Sequence, residues 1–267
     1  MSELSTVEDT LFVPMLGRIY ASEHFPNILK DDKALELKSK LPDNLKGKDT
    51  QSQYTLMASA VRSTNMDRYA KEFMEKYEDG IIVQLGCGLE TTFYRNDNNR
   101  NVLYEVDLPD VIKLRKKLLG ESKRDTYIQG DGFSEDWIKE IRKSYPTNPI
   151  MVMASGLFYY FTYEKVIGLF SALKNYGHIE IVFDAVNSSG MKRMGHYMKK
   201  VGHEDASMYF YVDNAKEIAL EIGNTIVKKE EPYYKYTNKK GLNLITKISM
   251  KVSDKYNMVK MIHLKLN

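Results

Sequence analysis

The chain has 267 residues, 43% of them hydrophobic, which is enough for one large α/β core. Its 39 Lys and Arg stand against 36 Asp and Glu, and a formal charge of +3 lacks the basic excess of nucleic-acid binders, so no nucleic-acid partner is expected. One cysteine, Cys87, excludes an internal disulfide and fits a reducing cytoplasm; no basic-then-apolar leader and no run of 18 apolar residues occurs, so neither export nor a membrane partner is expected.

Residues 1 to about 78 hold no convincing buried strand and read as a helical cap. One helix is expected around Thr10–His24, a second from Asp32 to Leu41 that stops at Pro42, and a long third from about Ser52 to Tyr77. The third carries Tyr54, Met57, Val61, Tyr69 and Phe73 at apolar positions, with Arg62 and Arg68 among them. Solvent is the default place for a helix arginine, but its fork also suits a free carboxylate.

From Ile81 the pattern alternates strand and helix, which predicts a mostly parallel sheet covered on both faces. Strands are expected at Ile81–Leu85, Val102–Val106, Thr126–Gln129, Ile150–Ala154 and His178–Phe183. The intervening helices open at Thr91, at Pro109 in the first helical position, after a Ser134 cap and after a Thr162 cap. Beyond Asp184, Met191, Met194, Met198 and Val201 stand at helical spacing, which reads either as a packing face or as a lid. Asp213 is expected to cap a helix closing at Gly223; a strand near Thr225–Lys229, a helix around Leu242–Val252 and an antiparallel strand Met258–Leu266 finish the chain.

The chemistry concentrates where the first strand opens into Gly86-Cys87-Gly88. An apolar strand running into Gly-x-Gly delivers backbone to a ligand, and Asp107 follows Gly88 by nineteen residues, at the end of the next strand, where a ribose is held. Thr91 stands where a dinucleotide fold wants its third glycine, and no phosphate-binding G-x-x-x-x-G-K-[ST] occurs. That leaves a nucleoside without phosphates, S-adenosyl-L-methionine. Cys87, between two glycines and without a CxxC partner, reads as a small apolar filler. Gly86, Asp107, Asp131, Ser155 and Asp184 all fall at expected carboxyl ends of strands, the ligand side of such sheets. No metal is expected.

The stretch Gln84-Leu85-Gly86-Cys87-Gly88-Leu89-Glu90-Thr91-Thr92-Phe93-Tyr94-Arg95, with Tyr104-Glu105-Val106-Asp107-Leu108-Pro109, resembles the paired signatures of the leucine carboxyl methyltransferase family, in its bacterial polyketide O-methyltransferase branch. Weaker likenesses are Arg62 with Asp67, Gly130-Asp131-Gly132 and Gly156-Leu157-Phe158-Tyr159-Tyr160, and the resemblance covers roughly residues 8 to 185. It implies a class I, Rossmann-like methyltransferase fold as a single domain: a cap over 1–78, a cofactor core over 79–185, and lid helices with terminal strands over 186–267. It further implies Gly86 against the methionine moiety, Gly88 in the same cofactor-binding turn, Asp107 on the ribose hydroxyls, Asp131 on the adenine amino group and the Gly132 backbone on the ring edge. Arg62 would pair with the methionine carboxylate. Ser155 stands where the family commonly has an acid, and Glu90 replaces the usual Asp.

Methyl transfer from a sulfonium requires donor and acceptor in line. A carboxylate acceptor needs no base, whereas a phenol gains from one, for which Tyr159, Tyr160, His196 and His203 are candidates. The expected acceptor is a small molecule bearing a hydroxyl or carboxyl group. A protein or peptide C-terminus, an NAD-linked oxidoreduction and a non-catalytic binding role on the same fold stay open, as does the oligomeric state.

Overall fold

The computed structural model describes residues 3–41, 51–193 and 208–267. Every residue of β1 (Ile81–Leu85), β4 (Ile150–Ala154) and β5 (Ile179–Val186) is buried, which explains their unbroken apolar runs: helices cover both faces. β2 (Val102–Asp107) and β3 (Asp125–Gln129) extend the sheet on one side, β7 (Val259–Leu266) and then β6 (Thr225–Pro232) on the other, giving the order β3-β2-β1-β4-β5-β7-β6. β1 to β5 are parallel; β7 runs antiparallel to both its neighbours. β6 is an edge, and exposed Lys228 and Glu230 guard it against further pairing.

Alternation along the strands divides the core. Ile81, Val83 and Leu85 face Trp137, Ile138, Phe170 and Ile218, carried by α6 (Asp136–Ser144), α7 (Tyr163–Leu173) and α9 (Ala215–Ile222). Ile82, Met151 and Val182 face Met57, Tyr69, Phe73 and Met250, carried by α3 (Gln53–Lys76) and α10 (Leu244–Lys255). α1 (Glu3–His24) and α2 (Asp32–Leu37) form a third cluster with Leu89 and with Leu119 of α5 (Pro109–Leu119). The short α4 (Thr92–Asn96) follows the glycine turn.

Several boundaries differ from the sequence reading for identifiable reasons. β5 runs to Val186 because β7 pairs with it to the end, so Asp184 lies inside the strand, opposite Met261, rather than at its tip. β6 likewise continues past Lys229 to Pro232. The second helix gives way to a 3₁₀ turn at Lys38–Lys40, and Leu41 is extended (ψ 141°), as the residue before a proline prefers. Ser134 accepts the Asp136 N–H without occupying the cap position, which is Glu135. Asn214, accepting from Lys216 N–H, caps α9, while Asp213 accepts from Ser188 N–H. Residues 188–193 are helical (α8); Met194, His196, Met198, Val201 and His203 lie outside the described residues.

Candidate functional site

β1 delivers the chain to Gly86, whose φ of +63° is the left-handed region open to glycine. The N–H groups of Gly86 and Cys87 both donate to the Val106 carbonyl, at 2.9 and 3.2 Å, folding the turn across the tip of β2. A Cβ at Gly86 would stand 2.7 Å from Leu157 Cδ1, so the loops after β1 and β4 touch. Cys87 is buried, and burial pushes its thiol well up, in keeping with a filler that stays protonated.

Asp107 closes the same corner. Its Oδ2 accepts from Gly88 N–H and its Oδ1 from Leu108 N–H, both at 2.8 Å. Burial pushes its carboxyl up and these two donors oppose the shift. Among the described residues each oxygen accepts one bond, which leaves lone pairs for a ligand diol. Beyond β3, Asp131 is exposed, with Oδ1 accepting from Phe133 N–H at 2.9 Å, and the Gly132 carbonyl accepts from Trp137 Nε1. Ser155 is half-buried one residue past β4.

Register places Phe183 opposite Ala154, so Asp184 is the β5 residue level with Ser155. Its carboxylate is fully buried and held three ways: Oδ2 accepts from Arg62 Nε at 2.8 Å and from the Tyr159 hydroxyl at 2.7 Å, and Oδ1 from Gly156 N–H at 2.7 Å. A Cβ on Gly156 (φ +69°) would meet Arg62 Nη1 at 2.5 Å, which places the outer guanidinium over the turn after β4. Tyr159 is therefore a buried donor. Burial, reinforced by Asp184, pushes its hydroxyl well above an ordinary phenol. Tyr160, its neighbour, is half-exposed.

Behind the glycine turn lies an ionic network that sequence reasoning missed. Arg18 of α1 donates to Asp31, Glu90 and the Leu89 carbonyl. Arg95 donates from Nε and Nη2 to Asp67 of α3, from Nη1 to Asp31 and Thr91 Oγ1, and from Nη2 to Glu90. Burial alone would raise the Glu90 carboxyl, but Arg18 and Arg95 outweigh it and hold Glu90 well below the usual range. Arg115, buried on α5, pairs with Glu105 and donates to the Gly88 and Glu90 carbonyls. Glu90 and Arg95 belong to the signature, but Asp31 and Asp67 are far off in sequence and nothing in their local pattern announces the contact.

On the other side of β5, Tyr209 N–H donates to the Tyr159 carbonyl and Val212 N–H to the Val186 carbonyl. Phe210 is fully buried against Phe158 and Phe183, and so belongs to the core. Tyr209 and Tyr211 point outward and, with Tyr163 and Glu217, line a cavity of about 300 Å³. No group of three His, Cys, Asp or Glu side chains suited to a metal occurs among the described residues.

Residues 9–174 match the family described as leucine carboxyl methyltransferase, and that stretch is more than half of the chain. The chain belongs to the leucine carboxyl methyltransferase family. The matched span takes in Arg62, Gly86, Asp107, Asp131 and Ser155 and ends before Asp184. Among curated proteins, the tetracenomycin polyketide synthesis O-methyltransferase TcmP of Streptomyces glaucescens is 27% identical over 155 residues, 58% of this chain and 56% of that protein. The chain thus matches little more than half of TcmP. An S-adenosyl-L-methionine-dependent methyltransferase, dpfgK, of Gibberella zeae is 24% identical over 82% of this chain and 80% of its own length. The crystal structure of an S-adenosylmethionine-dependent methyltransferase from Anabaena variabilis superposes with a TM-score of 0.51 at 14% identity, over 77% of this chain and 86% of that one. The strand order with its reversed β7 is accordingly the class I, Rossmann-like methyltransferase fold.

Proposed function

We propose that this member of the leucine carboxyl methyltransferase family is a cytoplasmic, S-adenosyl-L-methionine-dependent O-methyltransferase acting on a small molecule with a hydroxyl or carboxyl group. The observation that carries the reading is the Asp107 carboxylate, fixed by Gly88 and Leu108 N–H at the rim of a turn where Gly86 has a positive φ and a Cβ would press on Leu157. Such a corner suits a nucleoside sugar and has no phosphate cradle beside it. The names of TcmP and dpfgK support the oxygen acceptor and the cofactor respectively.

The bound cofactor would supply an electrophilic methyl carbon on a sulfonium. Asp107 would accept from the ribose hydroxyls, Asp131 would accept from the adenine amino group, and the outer nitrogens of Arg62 would pair with the methionine carboxylate. Asp184, level with Ser155, orients Arg62 through Nε and fixes the turn after β4 through Gly156 N–H. Tyr159 is occupied as a donor to Asp184 and so is not free to act as a base toward the acceptor.

Calorimetry with S-adenosylmethionine and its demethylated product tests the cofactor. Asp107→Ala leaves the ribose hydroxyls unpaired and is expected to weaken both by about 1 to 3 kcal/mol. Equal binding by the variant removes Asp107 from the site, and tighter binding of NAD than of S-adenosylmethionine overturns the reading.

A further inference from the structure

α10 has an outer face that a globular protein ordinarily covers. Leu244, Ile245 and Ile248 are 72%, 76% and 53% exposed. At 3.6 residues per turn they span about 100° of the helix surface. Lys247, Lys251 and Lys255 recur every four residues and form a row along that sector's border. Residues 239–256 hold five lysines against one acid, Asp254, which faces inward to accept from Tyr234 N–H and has Lys239 within 3.9 Å. Among the described residues, no carboxylate pairs with Lys247, Lys251 or Lys255.

The chain's course brings both ends of α10 to the carboxyl side of the parallel strands. β6 ends at Pro232 on the carboxyl side of the parallel strands, and β7 starts on that same side, Val259 opposite Val186. α10 is strung between these two points. Asn243 N–H donates to Gln53 at the start of α3, nine residues before Arg62. Inserted leucine and isoleucine with lysines at the border is how a helix lies in a membrane interface without crossing it. A second copy is the poorer occupant, because an isologous contact would set the two lysine rows against each other.

From this we infer that α10 is a docking surface for an anionic lipid bilayer. The surface is independent of the acceptor's identity. No helix among the described residues is long and apolar enough to span a membrane, and an interfacial helix needs no such length.

The test is flotation of the full chain with vesicles of phosphatidylcholine alone and with phosphatidylglycerol added. Binding is expected with the anionic vesicles only, to fall steeply as salt is raised, and to drop about five-fold for each of Lys251→Ala and Lys255→Ala. Ile245→Glu with Ile248→Glu is expected to abolish it, with the circular dichroism melting curve unchanged because both side chains are exposed. No partitioning of the wild-type chain onto anionic vesicles overturns the inference. So does a wild-type dimer, seen by light scattering, that the same glutamates dissociate, since the face would then belong to self-association.

Discussion

Arg95→Ala is expected to lower the free energy of unfolding by about 3 to 5 kcal/mol, the usual consequence of removing one partner from a buried ionic group. The side chain is 6% exposed and shared among Asp31, Asp67 and Glu90, whose side chains are 0%, 11% and 11% exposed. Arg18 still reaches Asp31 and Glu90, but nothing comparable replaces the fork on Asp67. Urea unfolding at neutral pH measures the loss, and a change under about 1 kcal/mol would place the network in the class of weak surface pairs.

The pH dependence gives an independent check. Glu90 is held below its unfolded value of about 4.3, so its contribution is fully present above that pH and is lost as pH falls toward the folded value. Removing Arg95 removes one of the two cations responsible. The stability curves of the wild-type chain and Arg95→Ala should therefore be widest apart near neutrality and converge as pH falls below about 4. Parallel curves across that range would mean that lost packing, not charge, explains the variant.

The network also shows why part of this protein was legible in its sequence and part was not. Strand positions were legible because each central strand is buried on two faces and so is written as an unbroken apolar run, as in Ile81-Ile82-Val83 and Ile150-Met151-Val152. The turn at Gly86 was legible because a positive φ, with Leu157 close to where a Cβ would stand, favours glycine and writes it into the sequence after the apolar strand. Asp184 was located but not understood: its partners come from α3, from the turn after β4 and from Tyr159, three segments whose meeting depends on the finished fold. Phe210 stands between two outward-facing tyrosines in sequence, and only the backbone bonds from Tyr209 and Val212 to Tyr159 and Val186 reveal it as core. Charged contacts across 60 or more residues, such as Arg95 with Asp31, leave no periodic trace.

Arg62→Ala is expected to weaken S-adenosylmethionine about 10- to 100-fold, the range for a charge-assisted hydrogen bond to a carboxylate. Nε is committed to Asp184 at 2.8 Å, which fixes the plane of the guanidinium, and Nη1 lies over Gly156 at the mouth of the turn. Methylthioadenosine keeps the sugar and base but has no carboxylate, so its binding should change little. That contrast separates two effects of the substitution, because among the described residues the variant also leaves the buried Asp184 with Tyr159 and Gly156 as its donors. If the corner collapses for want of the cation, both ligands weaken together and Arg62 is a structural partner of Asp184. Arg62→Lys keeps a positive charge without the fork; it should recover part of the cofactor affinity while failing to hold Asp184 and the carboxylate at once. Equal affinity of wild type and Arg62→Ala for S-adenosylmethionine would move the methionine carboxylate away from α3 altogether.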